Sequence, residues 1–388
     1  MKNLSQISNP FNDDKVIANC GLFGMMSLEK NTFSGSDIIK AIANMRVRGN
    51  GLGGGFAAYG IYPDYADLYA FHIMFQSRSA KEQTESFLEG SFKIVAKEEV
   101  PHRYAIGVSD PPLVWRYFVE TPKGVSDEYA DDYVVEKVMI INTKIDDSFV
   151  FSSGKDMGVF KGVGHPEDIG NYFCLEDYSA YIWVSHSRFP TNTQAWWGGA
   201  HPFSILDWTV VHNGEISSYG TNRNFLEMRG YYCTMHTDTE VMAYAVDLLI
   251  RRHRLPVDIA AKIMAAPLWT EIDQIDDEEE KQQLTVLRQV YSGLLINGPF
   301  TVIIAHQGEM IGLGDRVRLR PLVAGIKDDM LYLSSEEAPM KLIRPDLEYT
   351  WIPKGGEPII GKLDTKEVIY QNKPVQVGVN KDAVNIAA

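Results

Sequence analysis

The 388-residue chain is predicted to be an α+β protein built on largely antiparallel sheets. Strand-like and helix-like stretches fall in separate runs, and the joins between strands are short enough for hairpins. The glycine signatures of a nucleotide-binding parallel sheet are missing: no GxGxxG opens a helix after a strand, and no GxxxxGK[ST] occurs. Composition is ordinary for a globular protein, at 45% hydrophobic and 23% charged residues.

Taken in order, the first nineteen residues, MKNLSQISNPFNDDKVIAN, hold two aspartates and no continuous apolar stretch, so they do not read as a secretory signal. CGLFGMMS (20–27) reads as a short buried strand. SGSDIIKAIANMRVRG (34–49) places Ile38, Ile39, Ile42 and Met45 at helical spacing, with Ser34 or Ser36 as cap and Gly49 as stop. GNGLGGG (49–55) is a flexible turn. A β-rich block then runs to about residue 150, with strands expected at RYAIGV (103–108), KVMIIN (137–142) and DSFVFSSG (147–154), and a helix at 79–92. AYIWVSHSRF (180–189) and WTVVHNGEI (208–216) are strands, and SSYGTNRNFLEMRG (217–230) is a helix. A second helix starts near Thr237, where Thr237 and Glu240 have capping-box spacing. Further helices fill 256–266 and 278–295, and the strands PFTVIIAHQGEMIGLG, RPLVAGIKDDMLYLSSEE and IPKGGEPIIG follow.

The formal charge of −14, from 51 acidic and 37 basic residues, argues against a nucleic-acid partner, which needs a basic face. The acidic run EIDQIDDEEEK (271–281) is read as a solvated helix start. No apolar run approaches the roughly 18 residues of a membrane span, so a cytoplasmic protein is expected. Three cysteines without CxxC spacing support neither a disulfide framework nor a zinc or iron–sulfur site. Cys174 and Cys233 lie among aromatics and are expected to be buried, inert thiols.

Four short segments carry chemistry. In VVHNGEI (210–216) a strand ends at Asn213 and Gly214. An Asn amide beside a glycine N–H suits an oxyanion hole, and an ordinary Asn-Gly hairpin turn explains the same residues. SHSRFPTNT (185–193) ends a strand with Arg188, a bidentate carboxylate clamp or an exposed strand-end cation. Asp238 in HTDTEV could hold an ammonium group or serve the helix dipole. Cys20 has no histidine near it in sequence. If the residues before it were removed, its own freed α-amino group, with a pKa near ~8, could act as its base.

CGLFG, RVRG, SRFPTNT, HNGEI, TNRN, TDTEV, GPFTVIIA, GDRVRLRP and SSEEA occur in the order seen in class II glutamine amidotransferases, and the chain resembles that family. RFPTNT, HNGEI with TNRN, and DRVRLRP with SSEE resemble the glutamate synthase branch most closely. The matched motifs cover about 20–60 and 180–360; 62–175 reads as an insertion.

The resemblance implies a four-layer αββα N-terminal nucleophile hydrolase fold carrying a β-rich insertion. Residues 1–19 would be a propeptide, 20–375 the amidotransferase domain and 376–388 a C-terminal tail. Cys20 would attack the side-chain amide of L-glutamine, and Asn213 with the Gly214 N–H would hold the oxyanion. Arg188, helped by Thr191, would bind the substrate α-carboxylate and Asp238 its α-ammonium. His212 is expected to serve the turn through its backbone. Asp315, Arg316 and Arg320 form a structural turn and ion-pair element or lie near an ammonia exit, and Arg48 and Gly49 cap a helix or shape the glutamine pocket.

With no cysteine cluster, the chain is expected to carry no metal, flavin or nucleotide. It would pass ammonia to a separate flavin- and iron–sulfur-containing glutamate synthase subunit, for glutamate synthesis from 2-oxoglutarate. The alternatives are a subunit serving another acceptor, such as N-methylglutamate synthase, and a catalytically silent regulatory subunit.

Overall fold

The structure is a computed structural model that describes residues 19–190, 195–235, 237–347 and 349–375. The expected leader up to residue 18, Thr191 and the tail 376–388 lie outside the described residues.

Two seven-stranded sheets form the centre. The first runs, in spatial order, Tyr349–Trp351, Val323–Lys327, Met330–Ser334, Gly21–Ser27, Ile182–Ser187, Gly54–Tyr59 and Met157–Gly162, with every neighbouring pair antiparallel. The second runs Phe203–Ile205, Trp208–Gly214, Phe300–His306, Glu309–Gly314, Ile359–Lys362, Glu367–Tyr370 and Lys373–Pro374, again antiparallel throughout. The α+β expectation holds.

The two-residue period of a strand sorts the side chains into layers. Val211 and Ile303 of the second sheet share a core with Phe23, Phe56 and Val184 of the first. Their neighbours Val210, Val302 and Ile304 point the other way and pack with Val241, Met242 and Ile263 of the helices. Helices Gly35–Asn44, Pro166–Tyr172 and Glu337–Ile343 lie against the first sheet, and Asp238–Val246 lies against the second, with Tyr219–Glu227 beside it. The result is the four-layer αββα order. Gly24 is one place where the sheets pack closely: a Cβ there would sit 2.9 Å from Met310 Sδ and 3.3 Å from Ile303 Cγ2.

Ser34 caps the first helix as expected, accepting from the Ser36 N–H. Thr237 caps the helix Asp238–Val246 by accepting from the Thr239 N–H, but the expected capping box does not form. The Glu240 carboxylate is used elsewhere, accepting from the Thr234 and Met235 N–H groups at 3.0 and 2.9 Å and from the Tyr244 hydroxyl at 2.9 Å.

The block between the first two motif groups folds as strand Tyr69–Phe75, helix Arg78–Ser91, strands Lys93–Glu99 and Leu113–Glu120, helix Asp127–Lys144 and strand Ser148–Ser152. Its four strands form one antiparallel sheet in which the third and first strands are central, a βαββαβ unit. KVMIIN, expected as a strand, lies inside the helix Asp127–Lys144, and RYAIGV forms no strand. The chain then re-enters the first large sheet at Met157–Gly162, inside the stretch read as the insertion. The unit is tied to the second sheet by Ser204, whose hydroxyl donates to the Phe151 carbonyl at 2.7 Å. Asp132, bonded at 2.9 Å by both Arg251 and Arg252, makes a further tie.

Candidate active site

Cys20 immediately precedes a strand at the middle of the first sheet, held between Ile182–Ser187 and Met330–Ser334. All seven residues of Gly21–Ser27 are buried, which fixes the position of the thiol that leads into them. The Phe189 N–H donates to Cys20 Sγ at 3.3 Å. Arg48 Nε donates to the Cys20 carbonyl at 3.1 Å, and the same guanidinium pairs with Glu336 at 2.6 Å. Arg48 of RVRG and Glu336 of SSEEA, 288 residues apart, thus meet beside Cys20. Burial raises the Cys20 thiol above its ordinary value. The Phe189 N–H, Arg188 and Arg48 draw it back, while Asp238 acts in the same direction as burial.

A cavity of about 230 Å³ opens at this thiol, and Cys20, Arg188, His212, Gly214, Asp238 and Thr239 are among its lining residues. Arg188 reaches it from the end of the strand Ile182–Ser187 and is only 3% exposed. Burial lowers its pKa, and Cys20 and Asp238 oppose that shift. Gly214 ends the strand Trp208–Gly214 with φ +152°. A side chain there would collide with the Pro299 carbonyl and lie 2.8 Å from His212 Nε2, so only glycine fits. Asn213 does not line the cavity itself. Its side chain is buried beside it, and Nδ2 has no hydrogen-bond partner. A buried amide donor without a partner costs about 1–3 kcal/mol, which marks it as a group kept for another purpose.

Asp238 begins the helix Asp238–Val246. One oxygen accepts the Ile216 N–H at 2.9 Å, and the other lies 3.7 Å from His212 Nδ1. Burial alone would raise its carboxyl. His212, the Ile216 N–H and the Thr239 hydroxyl more than offset this and hold it below the usual carboxylate range.

Sequence reasoning missed the polar layer beneath. The Thr239 hydroxyl donates to Asp238 at 3.3 Å and is approached by His201 Nε2 at 2.7 Å and His212 Nδ1 at 3.1 Å. His212 Nε2, on the other side of the ring, is buried with no hydrogen-bond partner. His186 stacks on His201 with ring centroids 4.0 Å apart and donates from Nε2 to the His212 carbonyl at 3.0 Å. Burial pushes His186 down to about 3 and His201 well below its ordinary value, so both are neutral. The loop carrying His201 is fixed by buried Lys161, whose ammonium donates to the Gly198 and Pro202 carbonyls, each at 3.1 Å. These residues are spread over 161–239, and their signal is only that histidines recur beside the motif residues.

The other motifs take structural places. Asn222 of TNRN is fully buried and donates to the Gly293 and Leu295 carbonyls. Asp315 caps its turn by accepting from the Phe300, Val317 and Leu319 N–H groups, and Arg316 reaches Asn297 and Ala266. Cys233 is buried as expected, but Cys174 is only partly so, at a turn with φ +53°. The acidic run is exposed over Glu278–Glu280, behind an Asp277 cap. Among the described residues, no helix is long and apolar enough to cross a membrane, and no group of three His, Cys, Asp or Glu side chains is placed to share a metal ion.

A family model described as "Glutamine amidotransferases class-II" matches residues 72–382. The chain belongs to this family. An uncharacterised protein of Archaeoglobus fulgidus is 58% identical over 91% of this chain and 95% of its own length. Ferredoxin-dependent glutamate synthase 2 of Synechocystis sp. is 27% identical over 70% of this chain, which spans only 19% of that protein. Among solved structures, the glutamine phosphoribosylpyrophosphate amidotransferase of B. subtilis aligns with 89% of this chain and 48% of its own, at 15% identity and a TM-score of 0.45.

Proposed function

We propose that this protein hydrolyses L-glutamine to glutamate through a cysteinyl thioester and delivers the ammonia to a separate synthase subunit, for glutamate synthesis from 2-oxoglutarate. The observation that carries the reading is the single cavity in which a thiol, a buried guanidinium, a glycine N–H and a carboxylate held in its charged form converge from separate elements. Glutamine presents one carboxylate, one ammonium and one amide, and each finds a complementary group.

In this reading the mature chain begins at Cys20. Its free α-amine, with a pKa near ~8, takes the thiol proton as Sγ bonds to the side-chain carbonyl carbon. Asn213 Nδ2 and the Gly214 N–H stabilise the oxyanion. The amine then returns the proton to the leaving nitrogen, ammonia departs, and water cleaves the thioester. Arg188 binds the α-carboxylate, with Thr191 assisting, and Asp238 binds the α-ammonium. Thr239, His201 and His212 hold Asp238 in place. Flavin and iron–sulfur chemistry belong to the partner subunit. The motif order and the partial similarity to a glutamate synthase support the choice of acceptor.

Two measurements test this. Cys20→Ala abolishes glutamine hydrolysis while leaving thermal unfolding unchanged, and substantial residual activity removes Cys20 as nucleophile. Purification of the native complex yields a flavin-containing synthase subunit, whereas a partner that acts on methylamine or a sugar phosphate replaces the acceptor assigned here.

A further inference from the structure

Lys161 lies on Met157–Gly162, the edge strand of the first sheet, inside the stretch that reads as an insertion, and it is only 1% exposed. The segment Gly198–Pro202 covers it. The Lys161 ammonium donates to the carbonyls at both ends of that segment, Gly198 and Pro202, at 3.1 Å each. The Phe151 and Phe203 rings flank it, with centroids 4.8 and 4.3 Å from Nζ. A Cβ at Gly55 would lie 2.3 Å from the His201 carbonyl oxygen and 2.6 Å from Lys161 Cβ, so the segment is pressed onto the sheet. His201, held between the two bonded carbonyls, brings Nε2 to 2.7 Å from the Thr239 hydroxyl, and that hydroxyl donates to Asp238 at 3.3 Å.

We infer that Lys161 is a positioning residue for recognition of the substrate's amino group: it holds Gly198–Pro202 so that His201 sets the Thr239 hydroxyl and, through it, the Asp238 carboxylate. The inference rests on the reading in which Asp238 binds the α-ammonium of glutamine. Lys161 itself does not line the cavity, so its effect on substrate is relayed. An apolar side chain would fill the space between the two rings equally well, and the N–H groups are what the two carbonyls require. Burial draws Lys161 down to about 7, with Glu240 and Arg188 the charged groups that act on it. An amine that has lost its proton keeps two N–H groups, one for each carbonyl, so the hold persists on both sides of neutrality.

The experiment compares two substrates on the purified protein: L-glutamine, and glutaric acid monoamide, which keeps the carboxylate and the amide but lacks the α-ammonium. Lys161→Met retains the packing between the rings and removes the donors. It lowers kcat/KM for glutamine by about tenfold or more, chiefly through KM, and leaves kcat/KM for the monoamide within about threefold of wild type. Lys161→Gln, which keeps an N–H donor on a shorter arm, falls between the two and carries the same comparison should Lys161→Met not fold in urea titration. His201→Leu reproduces the split, and adding it to Lys161→Met lowers glutamine turnover no further, as expected of residues on one route. A loss of equal size on both substrates is what a merely structural role produces. That result, or no loss on either, or additive losses in the double variant, overturns the inference and leaves the proposed function standing. Wild-type protein that does not hydrolyse glutamine overturns both.

Discussion

The unpartnered amide of Asn213 gives the sharpest quantitative expectation. Asn213→Ala removes a donor that the folded protein keeps buried and unsatisfied. Such a group costs about 1–3 kcal/mol, so its loss offsets the packing lost with the rest of the side chain, and stability is expected to stay within about 1 kcal/mol of wild type. Catalysis behaves differently. Removing one oxyanion donor costs about 10²–10³ in kcat, or roughly 2.7–4 kcal/mol, because the bond is made only as charge develops. KM should change little, since Arg188 and Asp238 still hold the amino-acid end of the substrate. Steady-state release of glutamate, with urea unfolding on the same preparation, measures both quantities. A kcat within about threefold of wild type, or a loss of stability large enough to explain the loss of activity, refutes the assignment.

Three further expectations follow from the same geometry. Arg188→Ala mainly raises KM for glutamine, and a variant that loses kcat at unchanged KM contradicts the carboxylate role. Thr239→Val strips the common partner from His201, His212 and Asp238 and leaves buried donors behind. It should destabilise by about 2–4 kcal/mol in urea unfolding and weaken glutamine binding, and a silent substitution removes the hydroxyl from its hub position. His72 is fully buried, with Nδ1 donating to the Val159 carbonyl at 3.1 Å and Nε2 2.7 Å from the Tyr62 hydroxyl, and burial lowers it to about 3. A depressed imidazole contributes stability that is complete above its unfolded value near ~6.5 and is lost as pH falls toward 3. By pH 5 the loss amounts to about 2 kcal/mol, so His72→Gln should flatten the fall in stability between pH 6.5 and 5, and an unchanged slope refutes the reading.

What was legible in the sequence was local. The strand Gly21–Ser27 and the strand ending at Gly214 show as short β-prone runs broken by glycine, and each was placed within a residue or two. The helix Asp127–Lys144 was not, for a physical reason. Its buried residues Ala130, Val134, Val135, Val138, Met139 and Ile141 share one helix face, but the adjacent apolar, largely β-branched residues of 134–135 and 138–141 make the short run resemble a strand. Glu240 has capping-box spacing, yet three donors from outside the helix's first turn capture its carboxylate. Arg188, Asn213 and Asp238 could be named because each sits at an element boundary within a motif. The histidine layer below them could not, since Thr239 collects partners 27 and 38 residues away that share no pattern with it.

The strand that follows Cys20 also sets a clock. Its partners are Ile182–Ser187 on one side and Met330–Ser334 on the other, and Arg48 reaches Glu336 only when that second partner is in place. More than 300 residues separate Cys20 from the last of these contacts. At about 5–20 residues per second, a ribosome needs roughly 15–60 s to traverse that interval. Throughout this time Cys20 stands outside any finished sheet. Chemistry that depends on the held thiol is therefore deferred until synthesis is nearly complete, and the order of pairing within the sheet becomes an order of events in time.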